Sequence, residues 1–209
     1  RDRSPSRGLG DVYKRQNIGH VDFIQSLMDA TGLEEDEKTE IHHLITNRNY
    51  FGVEEILDNQ NVDDNIKAAF QGLPELMGDV EILDKAMGIA PNISAGLAVS
   101  YLQKLYKLLT LYGVEDHITF DLSMSGSYGY YTGIIFRAYT YGTGDAIVRG
   151  GRYDHLLEKF GENIPSIGFA IIIDELMSAL SRQKIPVETS HMNLIVYTEA
   201  TQKLSLIHI

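Results

Sequence analysis

Apolar residues follow a helical period through the first half of the chain and an alternating one through much of the second. From Asp22 to Ala30 the apolar positions Phe23, Ile24, Leu27 and Met28 share one helix face, and Gly32 follows as a stop signal. Glu34 to Ile45 opens on acidic residues, which favour a helix N-terminus, and carries Ile41, Leu44 and Ile45 on one side. Val53–Leu57 and Asn65–Phe70 are shorter candidates, and Glu81–Met87 follows a break at Gly78-Asp79. The clearest helix spans Ser94 to Tyr112, with Leu102, Leu105, Leu109 and Tyr112 as its stripe and Gly113 closing it.

The period then changes. Ile118–Leu122 is short and β-rich, and Gly133–Tyr141 alternates, with Ile134, Phe136 and Ala138 opposite Ile135, Arg137, Tyr139 and Tyr141. Gly142-Thr143-Gly144-Asp145 predicts a hairpin turn into Ala146–Val148. After Gly150-Gly151, Asp154–Phe160 reads as a short helix broken at Gly161. Ser166–Ala170 is small and apolar, and Asp174–Gln183 reads as a helix. Pro186 to His191 is linker-like, and Asn193–Tyr197 predicts the first strand of another domain. Helices first and antiparallel strands second predict an α+β fold.

The two ends belong together in another way. Asp11-Val12-Tyr13-Lys14-Arg15-Gln16 can be written as the codons GAT GTG TAT AAG AGA CAG. The reverse complement of that string translates as Leu204-Ser205-Leu206-Ile207-His208-Ile209. One inverted DNA element encoding both peptides resembles a sequencing adapter carried through translation. Residues 1–16 and 204–209 are therefore set aside from fold reasoning, and 17–203 is expected to be an internal fragment. Within it, 17–113 is expected to be mainly helical, 114–185 to hold the sheet and its ligand motifs, and 186–203 to be a linker and the start of a further domain.

Charge narrows the candidate partners. The chain has 18 basic and 29 acidic residues, net −11. Arg1, Arg3, Arg7, Lys14 and Arg15 against Asp2 and Asp11 lie in the ends set aside, which leaves 13 basic, 27 acidic and net −14. Such a surface repels polyphosphate, so no nucleic-acid partner is expected. The absence of cysteine excludes disulfides, thiolate nucleophiles and cysteine-based zinc sites. No apolar run is long enough to span a bilayer, so no membrane association is expected. His42-His43 are adjacent and so point apart on a helix, whereas a metal pair prefers a spacing of four; no metal site is expected. Glu34–Glu40 reads as a solvated helix face. Asp22 near His20 reads as helix-end capping, with a buried pair as the other account.

Three segments hold candidate binding chemistry. Tyr130-Tyr131-Thr132-Gly133 puts paired phenols at a strand mouth, where they can grip an amphipathic ring such as imidazole; aromatic core packing is the competing account. In Gly150-Gly151-Arg152-Tyr153-Asp154 the glycines let the backbone approach a ligand closely and the arginine can grip a carboxylate, or the segment is a turn with a surface arginine. Ile167-Gly168-Phe169-Ala170 precedes the last helix and is explained equally by core packing.

Together, and in this order, these segments resemble the histidine-binding and third class-defining motifs of the histidyl-tRNA synthetases. The match is strong over residues 118–183 and looser over the helical portion. The resemblance implies a class II aminoacyl-tRNA synthetase-like antiparallel sheet, preceded by a helical portion, whose motifs line one face that holds histidine and ATP. The departures are informative. The family's Arg-Gly-Leu-Asp-Tyr-Tyr is Gly126-Ser127-Tyr128-Gly129-Tyr130-Tyr131 here, so its catalytic arginine and its aspartate both fall on glycines. The third-motif arginine, which would clamp ATP phosphate, falls on Glu175.

That combination is similar to the regulatory-subunit family of ATP phosphoribosyltransferase, which keeps the synthetase-like fold without aminoacylation. Ile18-Gly19-His20-Val21-Asp22-Phe23, Leu73-Pro74-Glu75-Leu76-Met77-Gly78 and Tyr139-Thr140-Tyr141-Gly142-Thr143-Gly144 resemble it more closely than they do the ligases. The resemblance implies a cytoplasmic, non-catalytic subunit that uses no cofactor. It would partner the short-form catalytic transferase subunit, self-associate, and bind histidine as effector. Tyr130, Tyr131, Gly150, Gly151, Arg152 and Tyr153 would form its histidine pocket. The alternative is a fragment of an active histidine–tRNA ligase.

Overall fold

The computed structural model describes residues 16–124, 129–162 and 164–187, with the main chain of 193–197 and 204–208. The chain opens on a strand, β1 (Gln16–His20), and passes directly into α1 (Val21–Ala30), where the Val21 N–H donates to the Gly133 carbonyl at 3.0 Å. Four helices follow: α2 (Glu35–Thr46), α3 (Tyr50–Asn59), α4 (Asp64–Gly72) and α5 (Ile82–Ile89), with a two-residue strand β2 (Met77–Gly78) before the last. The long α6 (Ile93–Leu111) leads back to β3 (Ile118–Asp121), and β4 (Ile134–Ala138), β5 (Val148–Tyr153) and β6 (Ser166–Ile171) complete the sheet before α7 (Ile173–Arg182).

The helix starts have local causes. Glu34 and Glu37 form a reciprocal capping box on α2. Asn49 and Asp63 accept from Gly52 and Asn65 N–H groups at the starts of α3 and α4. Asn92 does two jobs: its Oδ1 accepts from the Ala95 N–H, and its Nδ2 donates to the Ser26 carbonyl, which ties the start of α6 to α1. The acids of Glu34–Glu40 thus organise the helix end as well as solvating its face.

The strand order is β2-β3-β1-β4-β5-β6. All neighbouring pairs are antiparallel except β1 and β3, which run parallel with Gln16 opposite Ile118. The fold is α+β as expected, but the sheet is mixed, and one strand precedes the helices. That strand was hidden because Asn17-Ile18-Gly19-His20 has one strong β-former. Buried on both sides by neighbours, it is held by its ladder rather than by propensity. Gln16, set aside with the chain end, is its first residue. Gly150-Gly151 lies inside β5 rather than at a turn. The helix expected over Asp154–Phe160 is only a 3-10 turn, Leu157–Phe160, ended by Gly161 at φ 89°. Strands β7 (Asn193–Tyr197) and β8 (Leu204–His208) form a separate antiparallel pair.

The core fills the space between helices and sheet. Phe23, Ile24 and Leu27 of α1, Val99 and Leu102 of α6, Phe70, Leu83 and Phe120 are all buried. Tyr106 of α6 meets the Phe120 ring edge-on at 6.0 Å, which joins the long helix to the sheet. Toward β6 the cover runs out: Ile167, Phe169 and Ile171 are exposed, as are Ile173 and Met177 of α7.

One polar contact pins the helical layer to the strand that feeds the candidate site. Arg48, in a left-handed turn (φ 57°) between α2 and α3, donates to the Asp121 carboxylate at 2.8 Å. Asp121 ends β3 at 2% side-chain exposure, and its other oxygen accepts from the Ser123 N–H and hydroxyl. Removing the arginine strands a buried carboxylate short of one charged donor, a loss of about 1–3 kcal/mol. Arg48→Met should therefore lower the unfolding free energy by about that amount in urea titrations. An unchanged midpoint would show that Ser123 alone satisfies Asp121.

Candidate functional site

Side chains alternate across a strand, so the register sorts the predicted residues onto two faces. Gly151 lies opposite Ile135 and Gly168, whereas Gly150 lies opposite Phe136 and Phe169. A Cβ on Gly150 would stand 2.6 Å from the Phe136 ring and 2.7 Å from Phe169 Cβ. A Cβ on Gly151 would stand 2.6 Å from the Tyr131 ring and 2.8 Å from the Ile134 carbonyl oxygen. Both glycines are required by close approach, and from opposite sides.

On the Gly151 side three tyrosines gather. The Tyr130 and Tyr131 ring centroids are 4.6 Å apart, and Tyr130 meets Tyr153 edge-on at 6.0 Å. Tyr153 lies over Gly168, where a Cβ would fall 2.6 Å from its hydroxyl oxygen. The result is an aromatic floor with phenol groups, built on positions without side chains.

Arg152 is next to Tyr153 in β5 and so points to the other face. Its Nε donates to both Asp154 oxygens, at 2.8 and 3.0 Å, and its stem lies beside Gly133; Asp154 first, and Tyr101 of α6 to a lesser degree, raise the guanidinium pKa. The Arg152 hydrogen bond holds the Asp154 carboxyl below its ordinary pKa, assisted by Thr132. The Asp154 N–H donates to Thr132 Oγ1 and the Thr132 N–H to the Arg152 carbonyl, both at 2.9 Å, which zips the tyrosine segment to β5. Of the six predicted residues, the structure brings together Tyr130, Tyr131, Gly151 and Tyr153; Gly150 and Arg152 support them from behind.

His20 and Asp22 take a different part from the expected one. His20 sits at the N-cap of α1 but its side chain makes no capping bond. Its ring is buried, meets Tyr101 edge-on at 5.4 Å, and its Nδ1 has no hydrogen-bond partner, with Asp22 Oδ2 at 3.8 Å. Burial pushes the imidazole pKa down, Asp22 opposes this, and Arg152 adds to it. Tyr101 joins this group unannounced, because it lies off the Leu102–Leu105–Leu109 stripe and stays partly exposed, so that stripe does not mark it. His42 and His43 diverge as expected, His43 toward Asn47, and no metal-holding group of histidines and acids occurs among the described residues. No helix among them is long and apolar enough to cross a membrane. Gly129, where the synthetase motif has aspartate, has φ 59°, and Glu175 lies in the first turn of α7. Gly126 lies outside the described residues.

The histidyl-tRNA synthetase family model matches residues 12–176. The chain belongs to that family. Among curated relatives, one named ATP phosphoribosyltransferase regulatory subunit from Acetivibrio thermocellus is 37% identical over 188 residues, covering 90% of this chain and 45% of the relative. Another of that name from Thermoanaerobacter sp. is 35% identical, covering 92% and 51%. A crystal structure described as an ATP phosphoribosyltransferase regulatory subunit/histidyl-tRNA synthetase from Bacillus halodurans superimposes with a TM-score of 0.73 at 30% identity, over 80% of this chain and 44% of that one. The chain thus spans about half the length of the relatives it matches.

The contact between Tyr131 and Gly151 is directly testable. Gly151→Ala should displace the Tyr131 ring, change the near-ultraviolet tyrosine dichroism and cost about 1–3 kcal/mol, as overpacking does. Gly144→Ala, where nothing lies within 4 Å, should change neither. Equal behaviour of the two variants would contradict the packing.

Proposed function

We propose that this chain is part of a regulatory subunit of ATP phosphoribosyltransferase, which binds histidine on the tyrosine face and imposes feedback control on the first step of histidine biosynthesis. The observation that carries the reading is the pairing of a kept floor with lost cations. Tyr131 and Tyr153 lie over Gly151 and Gly168 with Tyr130 against both rings, while Gly126 and Glu175 stand where the ligases resembled here carry a catalytic and a phosphate-gripping arginine. Phenols and aromatic faces suit an imidazole. Loss of a preorganised donor costs about 2.7–4 kcal/mol of transition-state stabilisation, on the order of a hundred- to a thousandfold in rate. A carboxylate facing triphosphate adds repulsion to that loss. Holding histidine and activating it are therefore separable, and this site is suited to the first alone.

The curated relatives' names support the regulatory half of the reading, and with it a catalytic transferase subunit as partner. Control follows when histidine binds two assembly states unequally, since a ligand shifts an equilibrium only by its differential affinity. In an intact complex reconstituted with the catalytic subunit, histidine should inhibit phosphoribosyl transfer. Tyr131→Phe removes one phenol hydrogen bond, and should weaken histidine binding about two- to tenfold by calorimetry. Transferase activity indifferent to histidine would remove the sensor role, and unchanged affinity in the variant would move the ligand off this face.

A further inference from the structure

Helix α6 is apolar on two opposite sides. Ala95, Ala98, Val99 and Leu102 form the buried one, which packs on α1, α5 and β1. On the other side Leu97, Leu108 and Leu111 are 65%, 57% and 80% exposed, with Ile93 and Tyr101 in line with them. A single exposed leucine needs no explanation, but a line of them along a whole helix does. A helix with apolar residues on opposite faces is one that is buried on both.

The spacing identifies what the outer stripe fits. Leu97, Tyr101, Lys104, Leu108 and Leu111 follow one another at intervals of four, three, four and three residues. That is the seam of a helix that packs lengthwise on another helix, at a shallow crossing of about 20°. Lys104 stands exposed at the middle of the seam and pairs with no carboxylate among the described residues. A second α6 laid in register on the first, in either direction, would set Lys104 against Lys104, so the seam rejects its own copy. It accepts a helix with an acidic residue at that level. The sheet extends the surface. Tyr101 meets His20 edge-on at 5.4 Å and reaches the Arg152 side of β5. Opposite Arg152, Gly150 and Val148, the β6 residues Ile167, Phe169 and Ile171 point to that same face and are exposed.

We propose that the outer face of α6 is the docking surface for a helix of the same polypeptide, from the half of its relatives' length that this chain does not span. That helix carries apolar residues at the same four-three spacing and an aspartate or glutamate level with Lys104. Seated beside α6, it covers the bare face of β6 as well. A surface that is apolar along a 19-residue helix needs a permanent cover, and a covalently linked helix supplies one at high effective concentration.

The chain has no cysteine, so single cysteines report on the seam. In the intact subunit, with any cysteines elsewhere in it replaced, Leu108→Cys should react with a maleimide about tenfold or more slowly than Thr110→Cys, an exposed position of the same helix off the seam. That ratio should hold at low and high protein concentration, and with or without the catalytic subunit. Adding Lys104→Glu, which sets like charges together, should speed labelling at 108, whereas Lys104→Met should not. Equal rates at 108 and 110 overturn the docking surface. Protection that appears only as concentration rises assigns the seam to a second copy, and protection that appears only with the catalytic subunit assigns it to that partner; either overturns the same-chain helix. Labelling indifferent to Lys104→Glu overturns the acid level with Lys104.

Discussion

Two glycines side by side in β5 hold the middle of the sheet open to close neighbours on both faces. Gly150 admits Phe136 and Phe169 on the face that continues into the helical core, and Gly151 admits Tyr131 on the other. A side chain at either would drive apart strands whose ladders run through β4, β5 and β6. The tyrosine floor exists only because these positions are bare. The Thr132–Asp154 and Thr132–Arg152 hydrogen bonds then lock the segment carrying Tyr130 and Tyr131 to the same strand. Packing and the proposed recognition therefore share one constraint, the bare positions in β5.

The helices bear on this floor from one end. Nearly all of them lie between β1 and β3, two strands that are parallel neighbours, so the helical layer must close on itself for the strands to meet. The Arg48–Asp121 contact and the Asn92 bridge to Ser26 perform that closure at two points. The first fixes the end of β3 just before the segment that leads to the tyrosines. The start of α1 is fixed by the Val21 bond to Gly133. Movement in the helical layer would thus be felt at the floor.

Much of this was legible in the residues. The seven helices are legible to within a few positions, since most of their apolar stripes face the core. Tyr130, Tyr131, Gly151 and Tyr153 were visible as a group through motif order rather than through any local rule. The strands β1 and β2 were not, because two to five residues with a glycine have no period to read, and their ladder partners lie far along the chain. Arg152 shows the limit of motif reading: the residue type suits a carboxylate grip, yet one step along a strand reverses the face, and its own neighbour Asp154 takes the charge. His20 and Tyr101 converge only in three dimensions, from a strand end and a helix face.

The account turns on a pocket that keeps its aromatic floor and has exchanged cationic grips for glycine and glutamate. Exchange of labelled pyrophosphate into ATP, with magnesium and saturating histidine, reads adenylate formation directly. The intact protein should show no histidine-dependent exchange above the rate without protein. Label entering ATP only when histidine is present would contradict the account, and would return the chain to the ligases of its family.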